Sequence, residues 1–84
     1  MEPCELCGRP YTVRHHVFFG TANRRISEQE GMVAWLCPAC HTDGALAVHR
    51  CRMTDLRLKR RYQEIFEQTH TREEFRAKFG RSYL

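Results

Sequence analysis

The sequence predicts a small α+β domain, a β-hairpin with a short helix, followed by two C-terminal helices. Three observations carry this. Residues 12–19 are rich in β-branched and aromatic side chains (Thr12, Val13, Val17, Phe18, Phe19), the composition of a strand. Leu58, Tyr62, Ile65 and Phe66 recur at i, i+4, i+7 and i+8, the stripe of an amphipathic helix. Two Cys-x-x-Cys pairs, Cys4/Cys7 and Cys37/Cys40, bracket the strand region of an 84-residue chain. So short a chain builds only a thin core and needs such a staple.

Taken in order, Cys4 to Gly8 reads as a tight turn, with Gly8 supplying a positive φ after the second cysteine. Gly20 ends the first strand, and a loop containing Asn23, Arg24 and Arg25 follows. Ser27 and Glu30 fit a capping box, which predicts one helical turn closed by Gly31. Residues 32–36 form an apolar run expected to be a second strand buried on both faces. Pro38 suits the first position of a helix carrying Cys40 and His41, interrupted at Asp43-Gly44. Thr54-Asp55 offers the N-cap of the amphipathic helix, whose other face holds Arg57, Lys59, Arg60 and Arg61. Thr71 and Glu74 form a second capping box, opening a helix that stops before Gly80. Phe75 and Phe79, one turn apart there, should pack on the preceding helix.

Composition sets the limits. Apolar residues make up 42% and charged residues 29% of the chain, enough to fold rather than stay disordered. The longest apolar run, 32–37, is far short of the roughly 20 residues that span a bilayer. The N-terminal segment carries two cysteines and a proline rather than a hydrophobic signal core. The expectation is a cytoplasmic protein without a membrane partner. There, reduced thiols favour metal binding over disulfides.

The 29 residues between Cys7 and Cys37 join two knuckles that supply four thiolates in two preformed pairs, a donor set suited to tetrahedral Zn²⁺. A reading as redox pairs lacks the surrounding βαβ pattern. Cys51 has no sequence partner and reads as a small, partly buried thiol. The net charge of +4 falls to about +2 once four thiolates surround one Zn²⁺. Overall basicity is therefore weak. Locally it is dense, because Arg50, Arg52, Arg57, Lys59, Arg60 and Arg61 face only Asp55 between positions 50 and 61.

Histidines are the second concentration. His15 and His16 share the first strand, His41 follows the last knuckle cysteine, and His49 comes eight residues later. A lone histidine would be an ordinary polar residue, but four in so short a chain point to a common site. Neighbouring strand residues face opposite ways, so His15 and His16 should do different jobs. His70, at a helix start, reads as an ordinary residue.

The Cys4/Cys7 knuckle, the His15-His16 pair and the segment Leu36-Cys37-Pro38-Ala39-Cys40-His41 resemble the HNH, or ββα-metal (His-Me finger), endonuclease superfamily. The form it resembles is the small phage type with a Cys4 zinc clasp, similar to recombination-associated phage nucleases. The resemblance implies one domain over 1–84, with a zinc-clasped ββα-metal core at 4–49 and a helical extension at 54–84. It implies structural zinc on Cys4, Cys7, Cys37 and Cys40. His16 would be the general base, and His15, His41 and His49 would hold one catalytic divalent metal. An imidazole-rich set favours Mn²⁺, Ni²⁺, Co²⁺ or Zn²⁺ over Mg²⁺. The family's middle asparagine, which orients the base, falls on Met32 here; Asn23 is the substitute the sequence offers.

The implied activity is metal-dependent DNA cleavage or nicking that leaves 5′-phosphate and 3′-hydroxyl ends, in the host cytoplasm if the chain is phage-encoded. Arg24, Arg25 and the 50–61 cluster are expected to meet DNA phosphates, through backbone and shape rather than base reading. A homodimer would cut both strands and a monomer would nick. The competing expectation is a non-catalytic zinc module that binds nucleic acid or a protein, such as a phage accessory or inhibitor protein.

Overall fold

The computed structural model describes residues 2–84. Its elements are β1 (Val13–His16), α1 (Thr21–Glu30), β2 (Val33–Leu36), a π-helical turn (Ala39–Asp43), α2 (Arg52–Phe66) and α3 (Arg72–Phe79). This is a small α+β arrangement around one antiparallel strand pair. Val13 lies opposite Leu36, Arg14 opposite Trp35, His15 opposite Ala34 and His16 opposite Val33.

The strands are not joined by a tight turn. β1 stops at His16, earlier than the β-rich composition through Phe19 predicts, because the chain then turns to meet α1. The Val17 N–H still reaches the Met32 carbonyl at 3.1 Å. Beyond it, Ser27 Oγ accepts from the Phe18 N–H at 3.2 Å and donates to the Phe18 carbonyl at 2.7 Å. One buried hydroxyl thus satisfies two backbone groups that leave the sheet. Ser27 is therefore a mid-helix residue rather than an N-cap, and Asn23, Arg24 and Arg25 lie on a ten-residue helix rather than in a loop. Gly31, in the left-handed conformation at φ 72°, ends α1 as expected. β2 buries only one face: Met32, Ala34 and Leu36 point inward, while Val33 and Trp35 are partly exposed.

The core forms where β2 meets the C-terminal helices. Val17, Phe18, Met32, Ala34, Leu36, Val48, Leu58, Tyr62, Phe66, Phe75 and Phe79 are all buried in one cluster. Phe18 is its hub, with its ring 5.0 Å from Phe75 and 4.6 Å from Phe79. α2 begins at Arg52, two residues before the expected Thr54 cap. Its buried stripe is Leu58, Tyr62 and Phe66; Ile65 is exposed, and Gln63 lies inside instead. The Gln63 amide donates to Ser82 Oγ at 2.9 Å and accepts the Tyr83 N–H at 2.7 Å, which fastens the C-terminal segment. The Thr71–Glu74 capping box and the Gly80 stop frame α3 as the sequence predicts.

Candidate metal centres and the adjoining cleft

The first knuckle is a turn closed by the Gly8 N–H on the Cys4 carbonyl at 2.8 Å. It is laid onto the end of β2 by the Glu5 N–H on the Trp35 carbonyl at 3.0 Å. The second knuckle turns where the Cys40 and His41 N–H groups both meet the Cys37 carbonyl. These two turns bring the sulfurs of Cys4, Cys7, Cys37 and Cys40 within 4.8 Å of one another. The group could hold a metal ion such as zinc, as the spacing predicts.

Its electrostatics fit a cation. Burial pushes the Cys4 thiol up, but backbone hydrogen bonds from Cys37, Leu6 and Cys7 outweigh it and set the group at about 6. The hydrogen bond from the Cys40 backbone lowers Cys37. Burial, then the three neighbouring thiols, raises Cys40. Thiolates crowded this closely resist the last deprotonation, and a divalent ion relieves that repulsion. Cys51 stands apart at the N-cap of α2.

The second group is built from β1 and the segment after the knuckle. The π-helical turn carries His41, and the chain folds back so that the Val48 N–H meets the Cys40 carbonyl at 2.9 Å and the His49 N–H meets the His41 carbonyl at 3.2 Å. Gly44 makes the reversal possible, because a Cβ there would lie 2.5 Å from the Ala39 carbonyl oxygen. His15 enters from β1 opposite the small Ala34. The ligand-capable nitrogens of His15, His41 and His49 all fall within 4.8 Å of one another, and the Nε2 atoms of His41 and His49 are 3.1 Å apart.

His15 is 3% exposed, and its Nε2 is buried without a hydrogen-bond partner. Such a nitrogen is costly unless something other than protein satisfies it. Burial, followed by the charges of His49, His41 and Lys59, lowers the His15 pKa to about 3. Burial and His49 also lower that of His41. Burial thus favours the neutral form of His15 and His41, the donor form that a divalent ion requires. The three residues fit a metal.

A cleft of about 310 Å³ opens on this group, lined by Arg14, His15, His16, Phe19, Arg24, His41 and His49. His16 borders it from the other face of β1. Its Nε2 is 2.9 Å from Glu28 Oε2, while Glu28 Oε1 accepts from Arg14 Nη2 at 2.7 Å. Arg14, chiefly, and then His16 hold the Glu28 carboxyl below its ordinary value. Arg24 and Arg25, with Gly20 and Thr21, extend the opening along the start of α1.

Of the residues expected in this site, Asn23 lies elsewhere: its amide donates to the Phe79 carbonyl at 3.3 Å and ties α1 to α3. Met32 is a core residue, 7% exposed. Glu28, which the sequence did not single out, is the group on His16. Its only signal in the sequence is a carboxylate within the Ser27–Glu30 turn, since the start of α1 at Thr21 carries no helical pattern.

The basic cluster divides. Arg50, Arg52, Arg57, Arg60 and Arg61 are exposed. Arg50 also donates to the Asp43 carbonyl at 2.8 Å, and Arg60 to that of Tyr83 at 3.1 Å. Arg57, Arg60 and Arg61 line a separate hollow with Met53 and Glu64. Lys59 does not belong with them. Its side chain is 7% exposed and is paired with Asp55 Oδ2 at 2.6 Å. It is therefore a buried ion pair rather than a free phosphate contact.

Among the described residues, no helix is long and apolar enough to cross a membrane. No family model, curated protein or solved structure matches this chain.

Proposed function

We propose that this chain is a metal-dependent DNA endonuclease or nickase of the HNH type, with a zinc-clasped ββα-metal core. One juxtaposition carries the reading: three converging imidazoles, His15, His41 and His49, share a cleft with a fourth histidine, His16, that stands outside their group. A three-imidazole site with an open side is the catalytic pattern of a metal centre, and the closed four-thiolate group is the structural one. Both donor sets, and their order along the chain, agree with the resemblance.

His15, His41 and His49 would hold a divalent ion, which when bound supplies Lewis-acid stabilisation of charge on the phosphate and the leaving oxygen. His16 accepts the proton of the attacking water at a ring nitrogen, the work of a general base. The water oxygen forms the new bond to phosphorus, and the bond to the 3′ oxygen breaks. That oxygen leaves and takes a proton from solvent, giving 5′-phosphate and 3′-hydroxyl ends. Arg24 on the cleft wall and Arg25 beside it neutralise phosphates as the backbone enters.

The test is plasmid incubation with the zinc-loaded protein in Mg²⁺, Mn²⁺ or Ni²⁺, alongside His16→Ala and His41→Ala variants checked for folding and zinc content. The reading expects nicked or linear plasmid with the wild type and none with the folded variants. Equal cleavage by His16→Ala would refute the assignment. DNA binding without cleavage in every ion would support the non-catalytic alternative.

A further inference from the structure

The sequence leaves the base without its usual orienting asparagine, since Met32 is packed in the core and Asn23 is engaged with Phe79. An imidazole free to rotate presents the wrong nitrogen or the wrong tautomer for much of the time, so a general base needs a fixed partner on its second nitrogen. The structure supplies one from an unexpected direction. Arg14 and His16 are two residues apart on β1 and so share a face, and α1 passes over that face with Glu28 reaching down.

We infer that Glu28 is the positioning residue of His16: one carboxylate oxygen accepts the His16 Nε2–H and the other accepts Arg14, which leaves Nδ1 as the nitrogen that takes a proton. The inference rests on the nuclease reading above and deepens it. The two contacts, 2.9 Å and 2.7 Å, use both carboxylate oxygens, so Arg14 helps to orient the carboxylate that faces the histidine. A carboxylate accepts but does not donate, so the nitrogen facing it must carry the proton whenever the ring is neutral. The remaining nitrogen then has the lone pair. Arg14 thus acts through Glu28, and Glu28 through His16.

A purely structural role accounts poorly for this arrangement. The Glu28 and Arg14 side chains are 45% and 49% exposed, and ion pairs so open to water contribute little to stability. What such a pair can do at low stability cost is orient. The same logic holds for carboxylates that fix the tautomer of a functional histidine at metal sites, where losing the partner costs about 10–100-fold.

The experiment compares zinc-loaded wild type, Glu28→Gln and Glu28→Ala in Mn²⁺-supported plasmid nicking, with folding checked by circular dichroism. Nitrogen-15 NMR of the His16 ring at pH 8 reports the tautomer. Expected are a Nε2–H tautomer in wild type, a mixed one in Glu28→Ala, and a 10–100-fold lower kcat in Glu28→Ala with KM changed less than twofold. Glu28→Gln, which keeps one acceptor for the two donors Arg14 and His16, should recover only part of the rate. A Nδ1–H tautomer in wild type, or equal kcat in Glu28→Ala, overturns the inference while leaving the nuclease reading standing. A wild-type chain that cuts with no ion fails that reading first, and the inference falls with it.

Discussion

The ammonium of Lys59 sits 3.8 Å from the centre of the Phe19 ring, and Phe19 in turn lies against His15 and His49. Through this contact α2 reaches the histidine group that β1 and the segment after the second knuckle build. The Lys59–Asp55 pair is a prop for the site, and its value lies in being intact.

Lys59→Ala should therefore behave as a stability mutant. Removing one member of a buried pair leaves the other charge uncompensated, here Asp55, whose Oδ1 already lacks a partner. A loss of about 3 kcal/mol in urea unfolding is expected. The slope of DNA affinity against salt should be unchanged, since Lys59 meets no phosphate. A slope reduced by about 0.9, the signature of one lost phosphate contact, would contradict this.

Gly44→Ala should damage the imidazole group specifically. The added methyl meets backbone at Ala39, which cannot swing aside as a side chain would. Forced overpacking of this kind costs about 1–3 kcal/mol. The π-helical turn should open enough to weaken Co²⁺ binding at His41 and His49, read from the cobalt absorption bands. Unchanged binding with unchanged stability would show that the turn adapts freely.

Metal removal should unfold the chain. A four-cysteine zinc site contributes about 10–16 kcal/mol of apparent binding free energy, comparable to or larger than the 5–15 kcal/mol that holds a typical domain folded. Chelation should abolish the helical circular dichroism signal, and one equivalent of zinc should restore it. Cys37→Ser, which removes a buried ligand, should show the same loss. A native-like spectrum after full zinc removal would count against the clasp.

Acid should weaken the fold through His15. Its folded pKa of about 3 lies below the unfolded 6.5, so between these values the unfolded chain binds a proton that the folded chain excludes. Stability from this group is complete above pH 6.5 and declines as the pH falls towards 3, by at most about 1.4 kcal/mol per pH unit. Urea midpoints measured on protein carrying one zinc per chain should fall more steeply from pH 6.5 to pH 5 in wild type than in His15→Leu. Parallel profiles would show that His15 is not buried as a neutral group.

Much of this was legible before the fold was known, because some signals are local. The two Cys-x-x-Cys spacings specify their own turns, and the Thr71–Glu74 box specifies its own helix start. What was not legible depended on partners distant in sequence. Only the last turn of α1 shows in the sequence, because the buried face of the helix is Ser27 with a partly buried Ile26, too little apolar area to show a helical period. Its helix then carried Asn23 away from the site and Glu28 into it. Lys59 looked like one more cation in a basic run, and only the meeting of α2 with Phe19 shows it to be interior. Gln63 was hidden for the same reason: its partners, Ser82 and Tyr83, come from the chain's end.

The His15–His16 pair makes strand register a determinant of chemistry. Side chains along β1 alternate between the imidazole group and the Arg14–Glu28 side, so a one-residue shift against β2 exchanges every assignment at once. Insertion of a single residue between Val13 and His15 would turn His15 outward and His16 inward, with composition almost unchanged. The division of labour is thus written in the parity of the chain, and point substitutions elsewhere can vary it only within that frame.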